Sequence, residues 1–239
     1  MKKLSAILLT AVLLLGLAAC ASSEASAGTS DTLITRISQP EYVLYQNIFF
    51  NGQADDYAGK QAVKEGTFTR LEDRYNGVTR YYVWGYYDNT KCCDWQWEFV
   101  PKDPASLPAN GSLVKLTGTL VHDEAALDNY WFVDTELEVE TAYTGPTAEV
   151  DMCCMSATLE RVQLINMQQK SDFFEGKTVR LYGRRIRPDA LQHPYYDGAW
   201  TQAFRTTGEA PAIGTLVIAA GKWKAGTLED TTLAATKDY

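Results

Sequence analysis

Two blocks of sequence recur in the same order along this chain, and that duplication restricts the fold more than any other feature. The first block, Asp55-Asp56-Tyr57-Ala58-Gly59-Lys60 with Gly66 beyond it, returns as Asp172-Phe173-Phe174-Glu175-Gly176-Lys177 with Gly183 beyond it. The second, Leu113-Val114-Lys115-Leu116-Thr117-Gly118, returns as Leu216-Val217-Ile218-Ala219-Ala220-Gly221. Two blocks matching in order argue for a repeated structural unit. Ahead of each copy, apolar residues fall at helical spacing: Val43, Leu44 and Ile48 within 41–51, then Leu159, Val162, Ile165 and Met167 within 159–169. A Gly-Lys turn then opens a strand. Further strands are predicted in the first copy at 80–87, 95–100, 112–121 and 129–140, separated by Gly, Pro, Asn and Asp clusters. About five strands per copy is the pattern of a small antiparallel barrel. The expected fold is mainly β with short helices: two tandem OB-like five-stranded barrels, each preceded by a helix. The first covers 41–140 and the second 148–239, with the boundary at Gly145-Pro146. The second copy is shorter between its marker glycines, so its central hairpin is expected to be trimmed.

The N-terminus reads as an export signal. Lys2 and Lys3 precede an apolar run too short to span a bilayer comfortably, and Leu17-Ala18-Ala19-Cys20 resembles the bacterial lipobox. Residues 1–19 are expected to be removed as a lipoprotein signal peptide. Cys20 would carry the lipid, diacylglycerol with a further acyl chain of the palmitate type, because two or more chains give stable anchoring. Residues 20–40 are expected to form a flexible linker, since their Ser, Ala and Gly content offers little apolar surface to bury. The expected location is extracytoplasmic, with the protein held to the bacterial cell membrane by its lipid.

The chain carries a formal charge of -8, which opposes binding to phosphate backbones, so nucleic acid is not an expected partner. The cluster Arg180, Arg184, Arg185 and Arg187 is read as a solvated strand and turn. Besides Cys20 there are two adjacent pairs, Cys92-Cys93 and Cys153-Cys154. In an exported protein an even remainder favours disulfides, vicinal or between the pairs. Four thiolates also match the count of a structural zinc site. Adjacent residues in an extended chain point to opposite faces, however, which suits a shared ion poorly. Disulfide, zinc and thiol-redox readings all stay open.

The run from Tyr57 to Gly66, then Tyr82-Val83, Cys92-Cys93, Glu98-Phe99 and Val114 to Leu120, resembles a bacterial OB-like domain. That domain stands at the C-terminus of permease-associated membrane proteins and in lipoproteins of anaerobic Gram-positive bacteria. The resemblance covers most of 41–140. It implies a fold and no settled activity, and the second copy lacks its Cys-Cys pair in the central hairpin.

No catalytic motif is recognised. His122 and His193 are the only histidines, and both read as surface residues. Aromatic density is the remaining signal. Period-two alternation places Tyr82, Trp84 and Tyr86 on one face of a strand, with Trp95 and Trp97 on the next strand. On the strands an OB-fold commonly uses for ligands, these five rings form a candidate binding platform. The expectation is a non-enzymatic binding or adaptor module facing an envelope glycan or protein partner. The alternative is a zinc-handling accessory to a membrane transporter using Cys92 and Cys93, and after it a thiol-redox protein.

Overall fold

The computed structural model describes residues 33–73, 77–123, 129–194 and 200–236. Residues 1–32, with the expected signal peptide and Cys20, lie outside the described residues. No helix among the described residues is long and apolar enough to cross a membrane.

Helix α1 (Gln39–Phe49) starts where the sequence supplies a cap. Ser38 is extended and its Oγ accepts from the Glu41 N–H, while Pro40 sits in the first turn, where its missing N–H costs nothing. Five strands follow: β1 (Gln61–Asp73), β2 (Val78–Tyr86), β3 (Asp94–Phe99), β4 (Leu113–Asp123) and β5 (Asn129–Thr141). They close into a barrel in the order β1-β2-β3-β5-β4, with β4 returning to β1 and one parallel contact between β3 and β5. Alternate residues of β4 are buried, and Val114, Leu116 and Leu120 point inward to meet Phe68, Val83 and Phe132.

The second half repeats this order. Strand β6 (Val150–Asp151) and a 3-10 turn, Met152–Cys154, lead into α2 (Ala157–Gln169) and the short α3 (Ser171–Phe174). Strands β7 (Thr178–Arg187), β8 (Ala190–Gln192), β9 (Thr201–Thr206), β10 (Leu216–Lys224) and β11 (Thr227–Ala235) then form a second closed barrel, joined by β10 to β7. Here too the third and fifth strands pair in parallel. The expected fold class is therefore present, including the trimmed hairpin: β8 is three residues long against nine in β2.

Strand register repeats along with strand order. Gly66 faces Val114 across β1 and β4, and Gly183 faces Val217 across β7 and β10. Both glycines make room for an indole. A Cβ on Gly66 would stand 3.0 Å from Trp95 Cη2, and one on Gly183 would stand 3.1 Å from Trp200 Cη2. Trp200 is thus the second copy's counterpart of Trp95, although no sequence motif links them.

The apolar interior is divided unequally. One cluster fills the first barrel; the other fills the second barrel and also takes in Leu71, Trp84 and Tyr86 from the first. Helix α2 packs on β1 of the first barrel as well as on its own module. Its Gln163 Oε1 accepts from the Glu72 N–H at 2.8 Å, and Asn166 Nδ2 donates to the Glu72 carbonyl at 3.2 Å. The two barrels therefore share a seam built by the second copy's leading segment.

Candidate binding surface

Strands β2 and β3 carry the expected platform, and their register divides it. Opposite residues of an antiparallel pair lie on the same face. Tyr81 faces Phe99, Val83 faces Trp97 and Gly85 faces Trp95, and these residues line the barrel interior. Tyr82 faces Glu98, Trp84 faces Gln96 and Tyr86 faces Asp94 on the outer side. Trp95 and Trp97 are fully buried, so they are core residues and no part of an exposed platform. Trp97 is tied further by its indole N–H, which donates to Glu41 Oε1 at 2.9 Å, while Lys64 Nζ lies 2.5 Å from the same oxygen and 4.7 Å from the Trp97 ring.

The outer face has the rings that alternation assigns to it, but most of it is covered. Trp84 is 1% exposed and Tyr86 5% exposed. The Trp84 indole N–H donates to the Cys154 carbonyl at 3.1 Å. Next to it, the first turn of α2 is held by the first barrel: Asp94 Oδ2 accepts the Thr158 N–H and Oδ1 accepts the Thr158 hydroxyl, both at 2.8 Å. This carboxylate at a helix N-terminus is favourably placed. The expected five-ring platform is corrected accordingly: two rings fill the barrel, two are buried at the seam, and Tyr82 lines a groove.

That groove has a volume of about 200 Å³ and lies between α1 and α2. Tyr45, Phe49, Tyr82 and Tyr130 supply rings to it, and Gln96, Glu98 and Thr158 supply polar groups. Gln96 Nε2 donates to the Tyr45 hydroxyl at 2.9 Å, and the Tyr82 hydroxyl donates to Glu98 Oε2 at 3.2 Å. Arg80 fixes Glu98 from behind through Nη1, at 2.8 and 3.0 Å from its two oxygens, and reaches Asp73 Oδ2 with Nε at 2.8 Å. Burial holds the Tyr45 and Tyr82 hydroxyls above the usual phenol range, so both remain donors. Apolar side chains stand exposed around this end of the molecule, Phe50 at 71% just after α1 and Val162 at 41% on α2. Sequence reasoning did not find Tyr45, Phe49 or Tyr130, because their meeting depends on where the two helices dock. A second opening of about 270 Å³ along the seam mixes polar and apolar lining, with Arg70, Glu72, Asp151 and Gln163 beside Val150 and Met155.

All four described cysteines are thiols. Cys92 and Cys93 have Sγ atoms 3.4 Å apart at the β2–β3 turn. Cys153 and Cys154 lie buried in the seam, and burial pushes the Cys153 thiol well up. The structure does not join the two pairs, and among the described residues no three His, Cys, Asp or Glu side chains stand where they could hold a metal ion. A four-sulfur zinc centre has no assembled ligand set here.

The histidines divide. His122 Nδ1 lies 3.0 Å from Asp55 Oδ1, with its ring 4.5 Å from that of Tyr130. His193 is 1% exposed, correcting the surface reading, and its Nε2 is 3.7 Å from Glu160 Oε2. Burial lowers the His193 imidazole to about 4 and raises the Glu160 carboxyl well above the usual range. Three arginines of the cluster serve the fold, while Arg187 is exposed: Arg180 pairs with Asp151 at 2.8 Å and also reaches the Pro146 carbonyl. Arg184 reaches the Gly214 carbonyl at 3.0 Å, and Arg185 holds the carbonyls of Pro211 and Pro188.

No protein-family model matches the sequence, and no curated protein is similar to it.

Proposed function

We propose that this protein is an extracytoplasmic, lipid-anchored binding or adaptor module that acts without catalysis. It captures an envelope glycan or protein partner in the groove between α1 and α2. The observation that carries this reading is the groove itself: four aromatic rings and a fixed carboxylate converge on the outer face of β2 and β3, the strands OB-type barrels commonly use for ligands. Rings offer stacking area, and the Glu98–Gln96–Thr158 row offers hydrogen bonds to hydroxyls or amides. The lipobox-like Cys20 supports the address, and the resemblance of 41–140 to a domain found in bacterial lipoproteins agrees with it.

Titrating soluble peptidoglycan fragments, glycan and stem peptide together, against the protein by saturation-transfer NMR tests the proposal. Tyr82→Ala and Tyr130→Ala are each expected to weaken capture roughly 2- to 10-fold, the worth of one aromatic contact, with unchanged circular dichroism. Equal binding by the wild type and both variants would remove the groove from consideration.

A further inference from the structure

The β2–β3 turn carries two thiols that lie outside both apolar cores. Tyr86 and Asp94 form the last ladder pair, and the Tyr87 N–H then donates to the Cys93 carbonyl at 2.9 Å. Within the loop, Asp88 Oδ1 accepts from the Thr90 N–H at 2.9 Å, the Lys91 N–H donates to the Asp88 carbonyl at 3.2 Å, and Lys91 adopts φ 56. A left-handed residue just before the pair takes the chain out of extended geometry. Adjacent side chains that would diverge in a strand are brought together, with Sγ atoms at 3.4 Å. Cys92 is exposed and Cys93 is partly so, whereas Cys153 and Cys154 are sealed in the seam. Thiol exchange requires access to the sulfur, so the exposed pair is the reactive one. With no third or fourth donor in place among the described residues, the pair is better matched to reaction with one another than to caging an ion.

We propose that Cys92 and Cys93 form a reversible dithiol–disulfide site, oxidised by disulfides of the R–S–S–R class outside the cytoplasm. In the first step the Cys92 thiolate attacks one sulfur of the reagent, a Cys92–S–S–R bond forms, and one RSH leaves. Cys93 then attacks Cys92 Sγ, closing the Cys92–Cys93 bond and releasing the second RSH. Two S–H bonds are lost, one S–S bond is gained within the protein, and the reagent takes up two electrons and two protons. Asp94 is the next residue in the chain and holds Thr158 of α2, so the redox site adjoins the seam.

The test uses the full-length protein with oxidised glutathione, alkylation by N-ethylmaleimide without denaturation, and peptide mapping by mass spectrometry. The expected wild-type product is a peptide containing both Cys92 and Cys93, unalkylated, lighter by two hydrogen atoms, and restored by dithiothreitol. In Cys93→Ser the resolving thiol is missing, and one glutathione is expected to remain on Cys92. Replacing both Cys153 and Cys154 with Ser is expected to leave the wild-type result unchanged. A persistent glutathione adduct on the wild type, disulfide-linked dimers, thiols that stay fully alkylatable, or no adduct in Cys93→Ser would each overturn the proposal.

Discussion

Trp84 shows how far a side chain's role can differ from its position in a pattern. It lies on the outer face of β2, yet it is 1% exposed and its N–H is spent on Cys154 in the other module. Truncating a buried Trp costs about 3–5 kcal/mol in general. Trp84→Ala is therefore expected to lower the unfolding free energy measured by urea titration by an amount in that range, and a ligand-binding defect at full stability would contradict the seam assignment. His193 gives a second residue-scale prediction. Its folded value of about 4 lies below the ordinary 6.5, so between these values the folded state binds fewer protons than the unfolded chain. The stability it contributes is fully present above pH 6.5 and is lost as pH falls toward 4. His193→Asn is expected to flatten that part of the stability–pH curve, which urea titrations at half-unit steps would reveal; an unaltered slope would place the titration elsewhere.

Helix α2 serves two masters at the level of elements. Its own Ser156 caps it, with Oγ 3.3 Å from the Leu159 N–H, and Asp94 of the first barrel takes the Thr158 N–H as well. Capping side chains contribute about 0.5–2 kcal/mol. Asp94→Ala is expected to cost within that range and to raise hydrogen exchange at the first turn of α2, while the first barrel's amides stay protected. Exchange unchanged in α2 would show that Ser156 suffices. Helices α1 and α2 were legible in sequence to within about two residues, since an apolar periodicity is a local signal. The β6 strand and the Met152–Cys154 turn were not, because a two-residue strand and a buried turn leave no periodic trace; they exist because the seam gives them partners.

For the whole molecule, the uneven division of the core implies unequal independence. The first barrel's interior closes without help from the second, whereas the second barrel's cluster borrows Leu71, Trp84 and Tyr86. A chain ending at Pro146 is expected to fold but to expose that apolar face and self-associate, as size-exclusion chromatography would register. The complementary piece, 148–239, is expected to show weak near-ultraviolet dichroism and a broad thermal transition. A monodisperse first barrel or a cooperatively folded second piece would show that the seam adds little.

Sequence alone determined that a unit is repeated, that each copy leads with a helix and closes five strands, and which residues alternate on β2, because turn residues and side-chain periodicity act over a few neighbours. Only tertiary structure decided which of those faces remains open. Whether Tyr82, Trp84 and Tyr86 meet solvent or another module depends on contacts between residues some seventy positions apart, such as Trp84 with Cys154. No local pattern encodes that distance, and so the groove lined by Tyr45, Tyr82 and Tyr130 is assembled by docking of helices that the sequence presents only as separate pieces.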